Sequence, residues 1–231
     1  MALRGERGTV RRLPWVTLVL VGLCVLVYAG GGAGIAQSWG FAPSHLADRP
    51  WTVVTALFTH ISANHLSSNM LVLAWAGVLL EQTVGHRKTL AAFFLCGWGG
   101  WAMLCLSEAV HPMLTGSLTA GASGAMLGMA VAAVLLRRHG MPVWLLAACT
   151  VFVLATSFLG TVSWQAHLGG ALVGMVLAFV WRGQWTGLSN HPSTMVTSGA
   201  SEGTPSERST PSAPSAPGSD STASRTVRST P

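Results

Sequence analysis

Residues 141–181 read MPVWLLAACTVFVLATSFLGTVSWQAHLGGALVGMVLAFVW, without one Asp, Glu, Lys or Arg. A helix crossing a bilayer needs about 20 mostly apolar residues, so this run is too long for one span and right for two. The Gly160-Thr161 pair divides it into a fifth span and a sixth, the latter from about Ser163 to Trp181. Outward from it, Arg182 closes the run on one side and Arg137-Arg138-His139-Gly140 on the other. Before that basic cluster lies a further apolar segment, about Leu118 to Leu136.

The same pattern continues toward the N-terminus. Arg4, Arg7, Arg11 and Arg12 precede an apolar run from Leu13 to about Gly30. A signal peptide also begins this way, but the Gly30-Gly31-Gly32 stretch is a poor cleavage site and more spans follow. An uncleaved first helix is expected. Residues 31 to about 62, with Pro43, Pro50, Trp39, Phe41 and Trp51, read as a long interfacial loop, where Trp is enriched. Spans of about Ala63–Thr83 and Leu90–Leu106 follow, separated by His86-Arg87-Lys88. After Arg182 the composition turns to Ser, Thr, Pro, Gly and Ala, which cannot bury a core. The expected organisation is a basic N-terminus (1–12), an all-α bundle of six transmembrane helices (13–182), and a disordered tail (183–231).

Charge placement excludes other classes. The chain is 50% hydrophobic and 9% charged, whereas a soluble domain carries charge on about a quarter of its residues. Only Asp48, Arg49, Glu81, Arg87, Lys88, Glu108, Arg137, Arg138 and Arg182 are charged between Leu13 and Arg182. The net charge of +6 comes from basic residues set singly or in pairs at span ends, not from a basic face that would hold nucleic acid. Cys24, Cys96, Cys105 and Cys149 lie in apolar runs without metal-ligand spacing and read as small buried hydrophobes. The Arg/Lys-rich connections all fall on one side of a six-span protein. The positive-inside rule therefore predicts both termini in the cytoplasm of a prokaryotic cell membrane, with loops one, three and five outside.

Polar residues within the spans mark function by default, and they form three clusters. His60, Asn64, His65, Ser67, Ser68 and Asn69 head the second span, Gly121-Ala122-Ser123-Gly124 the fourth, and Gln165-Ala166-His167 the sixth. At 1.5 Å per residue, Ser123 and His167 lie about 21 and 22 Å from the cytoplasmic ends marked by Arg137 and Arg182. In a hydrocarbon core of about 30 Å both sit roughly 10 Å below the outer surface. Equal depth on two helices suits a serine nucleophile and its general base. Gly121, Gly124 and Gly128, and likewise Gly170 and Gly174, make smooth stripes on which two helices can approach. Taken singly, GxSG and GxxxG also serve packing alone. His65 and Asn69, at i and i+4, share a face as hydrogen-bond donors for an oxyanion or as interhelical contacts. His60 lies before that helix, as a loop-ordering or interfacial residue. Zinc held by His60, His65 and His167 is the competing chemistry, but no HExxH and no acid lies among them. A channel would show charged residues along a pathway, and Glu81 is the one acid clearly within a span.

At these residues the sequence resembles the rhomboid family of intramembrane serine proteases, over roughly residues 13–182. The resemblance rests on His60 with His65 and Asn69, on Gly121-Ala122-Ser123-Gly124, on Ala166-His167 with Gly170 and Gly174, and on Glu81 with Gly85. It implies a six-helix bundle with an outward-opening cavity and a Ser123–His167 dyad without an acidic third member. It also implies an oxyanion hole of His65, Asn69 and the Ser123 amide; the polar side chains of Gln165, Ser67 and Ser68 near these clusters are candidates to hold the water such a site needs. Two positions depart from the common pattern: Leu127 replaces an aromatic residue, and Thr52 rather than Arg follows Trp51. The implied activity is cleavage of transmembrane segments of other proteins in the lipid bilayer, with no cofactor. The alternative is an inactive relative that binds such helices without cutting them.

Overall fold

The computed structural model describes residues 13–111, 118–137, 141–157 and 163–189. Its helices are α1 (Trp15–Gly31), the short α2 (Ala36–Trp39) and α3 (Thr52–Thr55), α4 (Ala63–Val84), α5 (His86–Val110), α6 (Ser123–Leu136), α7 (Met141–Ser157) and α8 (Trp164–Ser189). The class is all-α, and each of the six expected apolar segments is a helix. The segment Trp15–Trp39, α4, α5 and the Trp164–Arg182 part of α8 are long and apolar enough to cross a membrane, while α6 and α7 are shorter. Residues 1–12 and 190–231, which include the expected N-terminal segment and most of the expected tail, lie outside the described residues. α8 continues past Arg182 to Ser189.

Two boundaries differ from the sequence expectation. His86, Arg87 and Lys88 form the first turn of α5 rather than a loop. Gly85 alone makes the reversal between α4 and α5, with a φ of 82° that L side chains rarely adopt. Its amide also closes α4 on the Glu81 carbonyl at 2.9 Å. The α6 helix begins at Ser123 and not near Leu118, because the residues before it are held out of the helix by backbone bonds to the loop after α1. Phe41 and Thr119 exchange two backbone hydrogen bonds of 2.8 Å, and the Gly121 amide donates to the Ala56 carbonyl at 2.8 Å.

Those bonds tie the loop after α1 into the bundle. The Trp98 and Trp101 indoles both donate to the Val53 carbonyl, at 3.2 and 3.1 Å, and Phe41 stacks on Trp101 at 4.8 Å. Thr52, where an arginine is common in the family it resembles, is fully buried and donates to the Arg49 carbonyl at 2.7 Å. The Arg49 guanidinium in turn donates to the Gln37 carbonyl at 2.9 Å.

Side chains facing outward are apolar: Leu26, Leu71, Leu106, Phe152 and Phe179 are all exposed. In water such a surface would aggregate, and against acyl chains it is matched. α1 buries a narrow stripe of Val16, Leu20 and Cys24, spaced i, i+4, i+8, with Thr17 beside it.

A polar contact fixes the start of that helix. The Glu81 carboxylate, from the last turn of α4, accepts from the Val16 amide at 3.0 Å and from the Thr17 amide at 2.9 Å. It also accepts from the Thr17 hydroxyl at 2.5 Å and pairs with His86 Nδ1 at 2.5 Å. Free amides and the positive end of a helix dipole favour a carboxylate there. Nearby, Lys88 lies over the Trp181 ring at 5.6 Å, and Arg182 donates to the Leu135 carbonyl at the end of α6.

Loss of a buried carboxylate with this many partners costs about 3 kcal/mol. Glu81→Ala should therefore lower the midpoint of thermal unfolding in detergent by roughly 6–12 °C, at about 2–4 °C per kcal/mol for a domain of this size. Glu81→Gln, which keeps one acceptor oxygen, should fall between. Equal midpoints for all three proteins would show that this cap does not hold α1 in place.

Candidate active site

The end of the bundle opposite Glu81 gathers the three polar clusters, and glycine contacts set how closely they meet. A methyl group on Gly124 would stand 2.7 Å from the Ala166 carbonyl oxygen, and one on Gly100 of α5 would stand 2.8 Å from the same atom. Ala166 of α8 is thus held between α5 and α6. Further along, a methyl on Gly170 would overlap the Gly124 carbonyl, and one on Gly174 would overlap the Gly128 carbonyl. α6 and α8 therefore touch backbone to backbone over more than two turns, as the expected stripes of Gly124, Gly128, Gly170 and Gly174 require.

Gly121 faces the other way, toward α4. Its φ is 127°, and a methyl there would stand 2.7 Å from His65 Cε1 and 3.2 Å from Asn69 Nδ2. Ser123 is the first residue of α6 and half-buried. It follows the contact with His65 and Asn69 by two residues and precedes the contact with Ala166 by one. Among the described residues its hydroxyl makes no hydrogen bond. His167, one residue beyond Ala166, is 4% exposed. Thr119 and Ser163, at the entries to α6 and α8, are joined by a 3.0 Å bond between their hydroxyls.

His65 and Asn69 lie on one face of α4, as their spacing predicts, and bond to each other: Asn69 Nδ2 is 3.2 Å from His65 Nε2. Ser62 caps this helix, its hydroxyl accepting from the His65 amide at 3.1 Å. His60 is fully buried and stands edge-on to His65, with ring centroids 5.3 Å apart. Its ring packs against that of His65 from just before α4. Burial, and secondarily the neighbouring His65, push the His60 imidazole down to about 4, leaving it uncharged at neutral pH.

The residues expected to hold water make other bonds. Ser67 and Ser68 turn their hydroxyls back to the carbonyls of Asn64 and His65, each at 3.1 Å. Gln165 is buried and donates to the Ser107 hydroxyl at 3.4 Å. Leu127, where an aromatic residue is common, is fully buried. One contact has no counterpart in the sequence reading: Ser157, on α7, bonds His167 Nδ1 at 2.6 Å. A lone serine in an apolar span is the only trace it leaves in the sequence.

The Rhomboid domain family profile matches residues 47–184. The chain is 32% identical over 146 residues to Rhomboid-like protease 3 of Toxoplasma gondii, covering 59% of this chain and 54% of that protein. It is 29% identical over 138 residues to the mitochondrial RHOMBOID-like protein 6 of Arabidopsis thaliana, covering 56% and 43%. It is also 29% identical over 186 residues to the chloroplastic Rhomboid-like protein 11 of the same plant, covering 72% and 64%. The chain thus spans about half the length of the relatives it matches.

Backbone contact between α6 and α8 predicts a sharp contrast between two glycines. Gly170→Ala forces a methyl into the Gly124 backbone and should destabilise the protein by about 1–3 kcal/mol. Gly22→Ala on α1 meets nothing within 4 Å and should be neutral or stabilising by up to about 1 kcal/mol. Thermal unfolding of the two variants side by side measures this, and comparable midpoints would remove the close approach from the account.

Proposed function

This chain belongs to the rhomboid family, and we propose that it is an intramembrane serine endopeptidase in which Ser123 is the nucleophile and His167 the general base. The observation that supports this most is the position of Ser123. It begins α6 between the Gly121 contact with His65 and Asn69 and the Gly124 contact with Ala166, next to His167. A nucleophile needs a base on one side and donors for developing charge on another, and these two contacts support that reading of Ser123.

In this reading Ser123 Oγ attacks the scissile carbonyl and His167 Nε2 takes its proton. His167 then returns the proton to the leaving amine, and water hydrolyses the acyl-enzyme by the same steps. His65, Asn69 and the Ser123 amide are the donors for the tetrahedral oxyanion, with Gly121 leaving room beside them. His60 holds the His65 ring by its edge. Gly170 and Gly174 keep α8, and so His167, in register with α6. The substrates are transmembrane segments of other proteins, reached through the bilayer. Presence of both Ser123 and His167 favours an enzyme over an inactive helix-binding relative, which needs neither.

Ser123→Ala and His167→Ala should each abolish cleavage of a model transmembrane substrate in detergent, with the melting midpoint held within a few degrees. A phosphonate directed at serine should label Ser123 in the parent protein and not in His167→Ala. Full labelling without the histidine, or cleavage lost to a chelator and restored by zinc, would defeat the dyad.

Where the cut falls tests the orientation. With both termini cytoplasmic, the site opens to the extracytoplasmic side about 10 Å below the surface. A helical peptide bond is shielded until the helix unwinds, which Gly and Pro ease. Cleavage should occur near the outer end of a substrate helix, after Ala, Gly or Ser, and Leu in place of helix breakers downstream should slow it. Mass spectrometry of the released fragment reads this directly. A cut at the cytoplasmic end would reverse the topology.

A further inference from the structure

Ser157 is the last residue of α7, 3% exposed, and its hydroxyl touches two groups. One is the carbonyl oxygen of Val153, one turn back on the same helix, at 2.5 Å. The other is His167 Nδ1 on α8, at 2.6 Å. A hydroxyl carries one hydrogen, and a carbonyl oxygen only accepts. Two acceptors 2.5 Å apart with no proton between them repel, so the Ser157 hydrogen lies on the bond to Val153. The Ser157 oxygen then accepts, and the donor must be His167 Nδ1–H.

That assignment settles the other nitrogen. A neutral imidazole with its proton on Nδ1 has its lone pair on Nε2. We infer that Ser157 is a positioning residue: by accepting from Nδ1–H it selects the His167 tautomer whose Nε2 is free to take a proton from Ser123. The inference rests on the reading of Ser123 and His167 as nucleophile and base, and supplies the third, orienting group that a dyad lacks. A carboxylate usually fills that role; here a neutral hydroxyl backed by a helix carbonyl fills it.

The chain of bonds also responds to charge. When Nε2 gains the serine proton, the imidazolium donates more strongly to Ser157, whose own O–H then donates more strongly to Val153. Hydrogen bonds aligned in one direction polarise one another in this way. The carbonyl dipole of Val153 thereby faces the developing positive charge through one intervening oxygen, without a buried carboxylate and its desolvation cost. Because Ser157 sits on α7 and His167 on α8, the bond also spans two helices.

The test uses the full chain, labelled with 15N-histidine in detergent micelles, with the His167 signal assigned by its loss in His167→Ala. The parent protein should show a protonated Nδ1 and a bare Nε2. Ser157→Ala should shift His167 toward a mixture of tautomers. It should also lower kcat about tenfold to a hundredfold, the effect of orphaning one buried donor, with KM within about twofold. Ser157→Thr keeps the hydroxyl and should recover most of kcat, and Thr156→Ala, one residue away on the exposed side, should match the parent. A parent His167 protonated on Nε2, or a tautomer and kcat indifferent to Ser157→Ala, would overturn the proposal. So would a Ser157→Ala loss explained by a fallen melting midpoint and not rescued by Thr. If the parent fails to cleave or to label at Ser123 while the tautomer still depends on Ser157, the protease reading fails and the orienting bond stands.

Discussion

Between α6 and α8 the peptide backbones themselves are in contact, since Gly124 and Gly128 present bare Cα atoms and carbonyls to Gly170 and Gly174. In a bilayer no hydrophobic force draws one apolar helix to another, because acyl chains solvate both equally well. What holds the pair is van der Waals contact, which falls away steeply with a gap of even 1 Å. Everything at the polar end inherits its spacing from this contact. His167 follows Ala166, which is gripped by Gly100 and Gly124, so the imidazole is placed by neighbours that cannot shift without moving a helix.

The two ends of the bundle are built on different physics. At one end a buried carboxylate, Glu81, gathers the amides of α1 and the imidazole of His86, and the geometry there is fixed by hydrogen bonds with no space left over. At the other end the chain is held out of the helix before Ser123, and non-helical backbone at membrane depth must find its partners within the protein. Phe41 and Ala56 from the loop after α1 supply them. That loop thus does for the start of α6 what a preceding helical turn would otherwise do, and it lets a serine stand at a helix start instead of being wrapped in the helix interior.

Much of this was legible from residue order alone. Charge-free runs and their basic ends located six helices, because lipid tolerates few alternatives to an apolar helix. The glycine stripes and the matched depths of Ser123 and His167 were readable because helices are regular enough to count along. Irregular features were not. The start of α6 at Ser123 depends on pairing with Phe41, far away in sequence, and no local signal announces it. The one-residue turn at Gly85 is hidden because His86, Arg87 and Lys88 read as a loop by their charge, cations being disfavoured in a first helical turn, and yet they form one. The burial of His60 against His65 is set by packing, which a histidine in a polar stretch before a helix does not announce. Ser157 was passed over because α7 carries several small polar residues, and nothing in sequence separates the one facing α8.

The α6–α8 contact also orders the way the chain is made. The fourteen residues of α6 amount to about 21 Å of helix, short of a hydrocarbon core of about 30 Å, and its small side chains give lipid little to hold. α6 therefore depends on neighbours for its place in the bilayer, and the neighbour that covers its glycine face, α8, follows every other described helix in chain order. Until α8 arrives, a growing chain carries Ser123 but neither His167 nor the wall that positions it. A chain cut short before residue 164 would therefore leave the glycine face of α6 without the backbone contact that covers it here.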